Sequence, residues 1–199
     1  MGRLAARRPA DAAAFGRLAP LDVAISAAKK SDAAALAALR SAVAQGMTQQ
    51  FGEGHWSARP SKAEVLRQLR ASQVLVARRD AELLGTVRLV RAMPWAIDSS
   101  AFTPVKQALY VLGLAVAPQY RGQGIGHRLM EAAKDVARDA GAQALWLDAY
   151  EHEAGAGPFY LKCGFRRVGR TRYRELPLIY FEWLATGFPA GPSEQAVHP

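Results

Sequence analysis

At 199 residues, half of them apolar and 22% charged, the chain can bury its own core and has room for one domain with tails. A lone Cys163 excludes an internal disulfide framework and a cysteine-rich zinc site, and suits a cytoplasmic setting. Its apolar runs fall well short of the ~20 residues of a membrane helix, and Lys plus Arg (26) over Asp plus Glu (17) gives +9, so anions are the partners to expect.

Residues 1–20 carry Arg3, Arg7, Arg8 and Arg17 against Asp11, lack the continuous apolar stretch of a secretory signal, and read as a disordered leader. The structured part is expected over 21–185, followed by a proline-bearing flexible tail at 186–199. Leu21–Ile25 is a short apolar strand. Ser31–Asp32 caps a helix with Leu36, Leu39 and Val43 on one face. Gly46–Pro60 is predicted as a loop holding Glu53, His55 and Trp56. Ser61 and Glu64 form a capping box that opens a second helix, with Val65, Leu66 and Leu69 inward. Val74–Ala77 and Leu83–Val90 form a hairpin across a tight turn. Ala92–Gln107 is a long connection of the kind that often carries function.

Ala108–Val116 is a strongly apolar strand ended by Pro118. A helix follows from about Gly124 to Ala140, with Ile125, Leu129, Ala133 and Val136 at core spacing and Gly141 just past its end. Ala144–Tyr150 is a second apolar strand. A short helix ends near Gly164, and strands cover Phe165–Arg170 and Leu178–Leu184. The strand–helix–strand unit 108–150 is a right-handed parallel crossover, and the flanking hairpins are antiparallel. The fold class is therefore α/β, with a mixed sheet.

The turn Val116-Ala117-Pro118-Gln119-Tyr120-Arg121-Gly122-Gln123-Gly124-Ile125-Gly126-His127 leaves a buried strand and enters an amphipathic helix. Alternate glycines allow close backbone approach and expose N–H groups at the positive end of a helix, an arrangement suited to phosphates. Arg121 and Arg128 add charge. A P-loop would end in Gly-Lys-Ser/Thr, and a dinucleotide fingerprint would read G-x-G-x-x-G after the first strand. Neither pattern is present. The arginine groups at 1–20 and at Arg166, Arg167, Arg170, Arg172 and Arg174 also fit a solvated face.

Arg121-x-x-Gly124-x-Gly126 after an apolar strand resembles the acetyl-CoA signature of the GCN5-related N-acetyltransferase (GNAT) superfamily. A second block, Leu145-x-Leu147 followed by Ala156-x-x-Phe159-Tyr160-x-Lys162-x-Gly164-Phe165, is similar to the family's second cofactor strand and the helix after it. The resemblance covers about 21–185. It implies a GNAT fold: a mixed, mostly antiparallel sheet with a splayed parallel strand pair, flanked by helices. It also implies acetyl-CoA as co-substrate, its pantetheine arm pairing with Leu114, Ala115 and Val116. The pyrophosphate would sit on the amides of Gly122, Gln123, Gly124, Ile125, Gly126 and His127, beside Arg121.

Tyr160 matches the tyrosine that faces the cofactor sulfur; a phenol of reference pKa ~10 can protonate the departing thiolate. The family often has Asn where this chain has Glu153, which places an acid against the cofactor arm or toward substrate. Pro158 favours a late start to the short helix. Amine acetylation needs a neutral amine, because an aliphatic ammonium (reference pKa ~10.4) has no free lone pair. It also needs an oxyanion donor, for which a backbone N–H near Val116 is the natural source.

The central strand carries Tyr110 but no acid. Asp148 and Glu151 rank first as the base, ahead of Glu53, His55, Asp98 and His152. Trp56, Trp95 and Phe102 are either an apolar substrate wall or core plugs. Cys163 reads as a small buried hydrophobe. The expectation is an N-acetyltransferase that moves acetyl from acetyl-CoA to a primary amine, small rather than protein-borne, by direct transfer in a ternary complex. The alternative is a non-catalytic acyl-CoA-binding module with the same fold. Nucleic-acid binding ranks last, without an aromatic RNA platform. No metal site is expected, and a homodimer rests on the resemblance alone.

Overall fold

The computed structural model describes residues 22–92, 94, 97–173 and 175–186. The leader at 1–20, the tail from 187 onward, Trp95 and Arg174 lie outside the described residues. Seven strands form one sheet in the order β1-β2-β3-β4-β5-β7-β6. They are β1 (Ala24–Ala27), β2 (Gln73–Arg79), β3 (Glu82–Val90), β4 (Ala108–Val116), β5 (Ala144–Tyr150), β6 (Arg166–Tyr173) and β7 (Leu176–Leu184). Only β4 and β5 run parallel; the other neighbours are antiparallel. Four α-helices among the described residues cover the sheet: α1 (Ala33–Phe51), α2 (Lys62–Ala71), α3 (Ile125–Asp139) and α4 (Gly157–Lys162).

The period-2 alternation of the strands sorts their side chains between two cores. Leu75, Ala77, Val87, Leu109, Leu145 and Leu147 pack with Ile125, Leu129 and Met130 of α3 on one face. Val74, Val76 and Leu83 pack with Leu36, Leu39 and Val65 of α1 and α2 on the other. On that second face Phe102 covers Tyr110 and Tyr180 and stacks on Trp146 with ring centroids 4.7 Å apart. Each large apolar side chain so buried contributes roughly 1.5–3 kcal/mol. Glu182 is wholly buried but fully answered: Arg166 bonds it at 2.9 and 2.5 Å, and Thr103 donates its N–H at 2.8 Å and its hydroxyl at 2.7 Å. This network pins the 97–107 connection to β7.

Three predicted boundaries move. α1 does not stop at Gly46 but runs on to Phe51, and the last turn closes only at Gly52, N–H to the Thr48 carbonyl at 2.9 Å. β1 starts at Ala24, where pairing with β2 begins at Ala24↔Arg78. The last hairpin is longer than its apolar runs, since β6 is an arginine-rich edge strand whose backbone pairs with β7.

Candidate active site

β4 and β5 pair over only Ala108↔Ala144, Leu109↔Leu145 and Tyr110↔Trp146. Beyond Tyr110 the register of β4 on β3 slips between Thr86 and Arg88, around Gly113 at φ 59°. That bulge turns the rest of β4 away from β5, leaving the β5-facing edge of residues 112–116 without a strand partner among the described residues. A cavity of about 850 Å³ fills the opening, a normal size for a small-molecule site. Leu114, Ala115, Val116, Arg121, Gly124 and Gly126 all line it.

At one end the cavity meets the start of α3. Gly124, at φ 77°, forms the N-cap with no side chain accepting from the helix. The first intrahelical bond is Arg128 N–H to the Gly124 carbonyl, 3.0 Å, so the amides before it have no carbonyl to reach. A Cβ added at Gly122 or Gly124 would meet no protein atom within 4 Å. An uncapped helix start in an open glycine cradle fits a phosphate. Gly122, Ile125 and His127 also line the cavity. Gln123 instead donates its side-chain amide to the Gln119 carbonyl at 3.2 Å, and Arg128 turns away to the Val23 carbonyl.

Asp148 and Tyr160 both line the cavity. The Tyr110 hydroxyl donates to Asp148 Oδ1 at 2.5 Å. Burial raises the Asp148 carboxyl above the usual carboxylate value, against the opposing effect of that hydrogen bond. Tyr160 is buried, on α4, which starts at Gly157 with Pro158 in its first turn. Burial first, and then the charge of Asp148, push its phenol well above the ordinary value. Burial and Asp148 do the same to Tyr110. A carboxylate made more basic and a phenol that stays protonated therefore share one locus.

The other sequence-derived candidates fall elsewhere. Glu151 is held by Arg170 at 2.5 Å and Arg167 at 3.4 Å on β6, and neither it nor the exposed Glu153 lines the cavity. Asp98 caps a short turn by accepting from the Ser100 N–H at 2.9 Å. Cys163 is buried, with its sulfur 3.5 Å from His127 Nδ1. Trp56 lines the cavity, whereas Phe102 is a core plug. His55 and Tyr150 contact each other at the same rim, ring centroids 5.4 Å apart.

Sequence reasoning missed the wall opposite α3. Arg40, Met47, Gln68, Arg88 and Tyr150 line the cavity there. Arg40 is the only charged residue in the nineteen of α1, and Arg88 sits between the buried Val87 and Leu89. A lone charge inside an apolar element is the signal that marks both. Burial lowers both guanidinium pKa values, and for Arg40 the charge of Arg88 adds to the effect.

Residues 41–165 match the Acetyltransferase (GNAT) family. Streptothricin acetyltransferase of Streptomyces lavendulae is 40% identical over 74 residues, which are 37% of this chain and 38% of that protein. The chain thus aligns with about two fifths of that relative. An uncharacterized N-acetyltransferase of Bacillus subtilis, YhfO, is 33% identical over 147 residues, covering 71% of this chain and 88% of that one. In structure the chain resembles YncA of Salmonella typhimurium, described as a putative acetyltransferase with its cofactor acetyl-CoA. The TM-score is 0.61 at 18% identity, over 84% of this chain and 96% of that one.

Proposed function

The chain belongs to the acetyltransferase (GNAT) family, and on that premise we propose that it transfers the acetyl group of acetyl-CoA to a primary amine, both substrates meeting in the cavity between β4 and β5. One observation carries this reading. A single cavity joins the open glycine cradle of α3, the partnerless edge of β4, and the Asp148 and Tyr160 side chains. Acetyl-CoA, when bound, supplies a thioester: a C–N bond forms to its carbonyl carbon, the C–S bond breaks, and an amide and a thiol leave.

Arg121 and the amides from Gly122 to His127 hold the phosphates, and the β4 edge at Leu114–Val116 orients the arm and offers an N–H to the thioester oxygen. Asp148 takes the proton that the amine must lose. Its raised pKa makes it a stronger base than a surface carboxylate, and Tyr110 fixes its orientation. Tyr160, kept neutral by burial, donates its hydroxyl proton to the departing sulfur and regains one from solvent after the thiol leaves. No covalent intermediate on the protein is needed.

Release of free thiol from acetyl-CoA with a panel of amines tests the reaction, and Tyr160→Phe tests the donor. The variant is expected to lose on the order of a hundredfold in kcat while still binding acetyl-CoA. Unchanged kcat would remove Tyr160 from the chemistry. Acetyl-CoA binding without thiol release from any amine would leave an acyl-CoA-binding module.

A further inference from the structure

The cavity wall built by α1, α2 and β3 is apolar at Val43, Ala44 and Met47, and two arginines interrupt it, Arg40 and Arg88. Arg40 donates from Nη1 to Gln68 Oε1 of α2, while its Nε is buried with no hydrogen-bond partner among the described residues. Among the described residues no carboxylate lies within ion-pair distance of either guanidinium. Glu64 acts on both only through its charge.

Guanidinium groups keep their proton in proteins. Two of them, partly desolvated and close enough for Arg88 to disfavour the charge on Arg40, are costly unless an anion answers them. The cofactor phosphates do not fit that place. The glycine cradle opens α3, which packs on one face of the sheet, and α1 packs on the other. Arg88, alternating with Val87 and Leu89 of the α3 face, also points to the α1 side. The unanswered charge therefore faces the acceptor.

We infer that the acceptor amine carries a carboxylate, as an amino acid does, and that Arg40 and Arg88 bind it. The inference rests on the acetyl-transfer reading above. A planar two-oxygen group matches the fork of a guanidinium, and a wall with two fixed positive charges repels acceptors that are themselves polycations. The amine end then lies toward Asp148, on the same cavity.

The test compares α-amino acids, their α-amides and spermidine as acceptors, reading thiol release. Removing one partner of a buried charge pair costs enough that the best acid should exceed its own amide by roughly thirtyfold or more in kcat/KM. In Arg40→Met and Arg88→Met that ratio collapses toward one through KM, and Arg88→Lys recovers part of it. The melting rise given by acetyl-CoA persists in all three. Amides or spermidine used as well as the acids would overturn the inference while leaving acetyl transfer intact. Absence of both thiol release and any melting rise with acetyl-CoA would sink the acetyl-transfer reading instead. If acetyl-CoA binds but no amine is turned over, melting with CoA plus amino acid or amide decides. A rise with the acid alone, lost in Arg88→Met, supports the inference, and equal responses overturn it.

Discussion

As the proposed base, Asp148 has to be both buried and charged, and the two demands predict different pH behaviour for activity and for stability. Its pKa is raised in the folded chain. Between the unfolded value of ~3.9 and the folded one, the native state binds more proton than the unfolded state. Its contribution to stability is therefore present at low pH and is lost as pH rises through the folded pKa. On the proposed mechanism activity runs the other way, because the proposed base must be ionised: kcat/KM should fall as pH drops through a pKa raised above the ordinary aspartate value. Asp148→Asn separates the two. The amide oxygen can still accept from Tyr110, so the variant should melt at or above the wild-type temperature at pH 8. Its kcat should fall by on the order of a hundredfold or more, the usual worth of a general base. A variant with wild-type kcat would exclude Asp148 as the proton acceptor.

Among the elements, α3 does most to shape the site, and its height above the sheet depends on one residue beneath it. A Cβ on Gly85 of β3 would lie 3.0 Å from the Ala115 carbonyl oxygen and from Leu129 Cδ1, and 3.2 Å from Ile125 Cγ2. β4 on one side and α3 on the other thus close on this position. Gly85→Val would force both away, at about 1–3 kcal/mol of overpacking. Because Ile125 opens the helix next to the glycine cradle, the same shift moves the cradle amides. The expected outcome is a lower melting temperature together with weaker acetyl-CoA binding, measured by titration calorimetry. A stable variant with full affinity would show that the cradle is independent of helix height. Gly141→Ala, at the far end of α3 and at φ 68° with open space around it, is the control: it costs stability without touching affinity.

At the scale of the molecule, the elements that set the sheet and its two helix layers are legible from local signals. The apolar runs of β4 and β5, the period of α3 and the Arg121–Gly126 turn each announce themselves within a dozen residues. The splay of β4 from β5 is not local. It arises from a bulge at Gly113 and a register slip against β3, which periodicity does not encode. The separation of Asp148 from Glu151 is equally distant in origin, because it is the arginines of β6, nineteen residues on in the case of Arg170, that draw Glu151 aside. Arg40 and Arg88 share one cavity wall only because α1 lies over β3.

A ligand that bridges such distant parts must report on all of them at once. On the proposed placement acetyl-CoA spans α3, β4 and α4 and so binds only the folded chain, and at 100 times its Kd it should add about 2.7 kcal/mol to folding stability. For a domain of this size that is a rise of roughly 5–10 °C in melting temperature. Arg121→Ala should lose part of the rise with little change in the unliganded melting point, since the side chain lines the cavity. Gly124→Val should lower the unliganded point by the cost of a β-branched residue at φ 77° and lose most of the rise, because its side chain would occupy the proposed phosphate cradle. If all three proteins respond equally to millimolar acetyl-CoA, the phosphates sit elsewhere. If none responds, the cavity serves a different ligand.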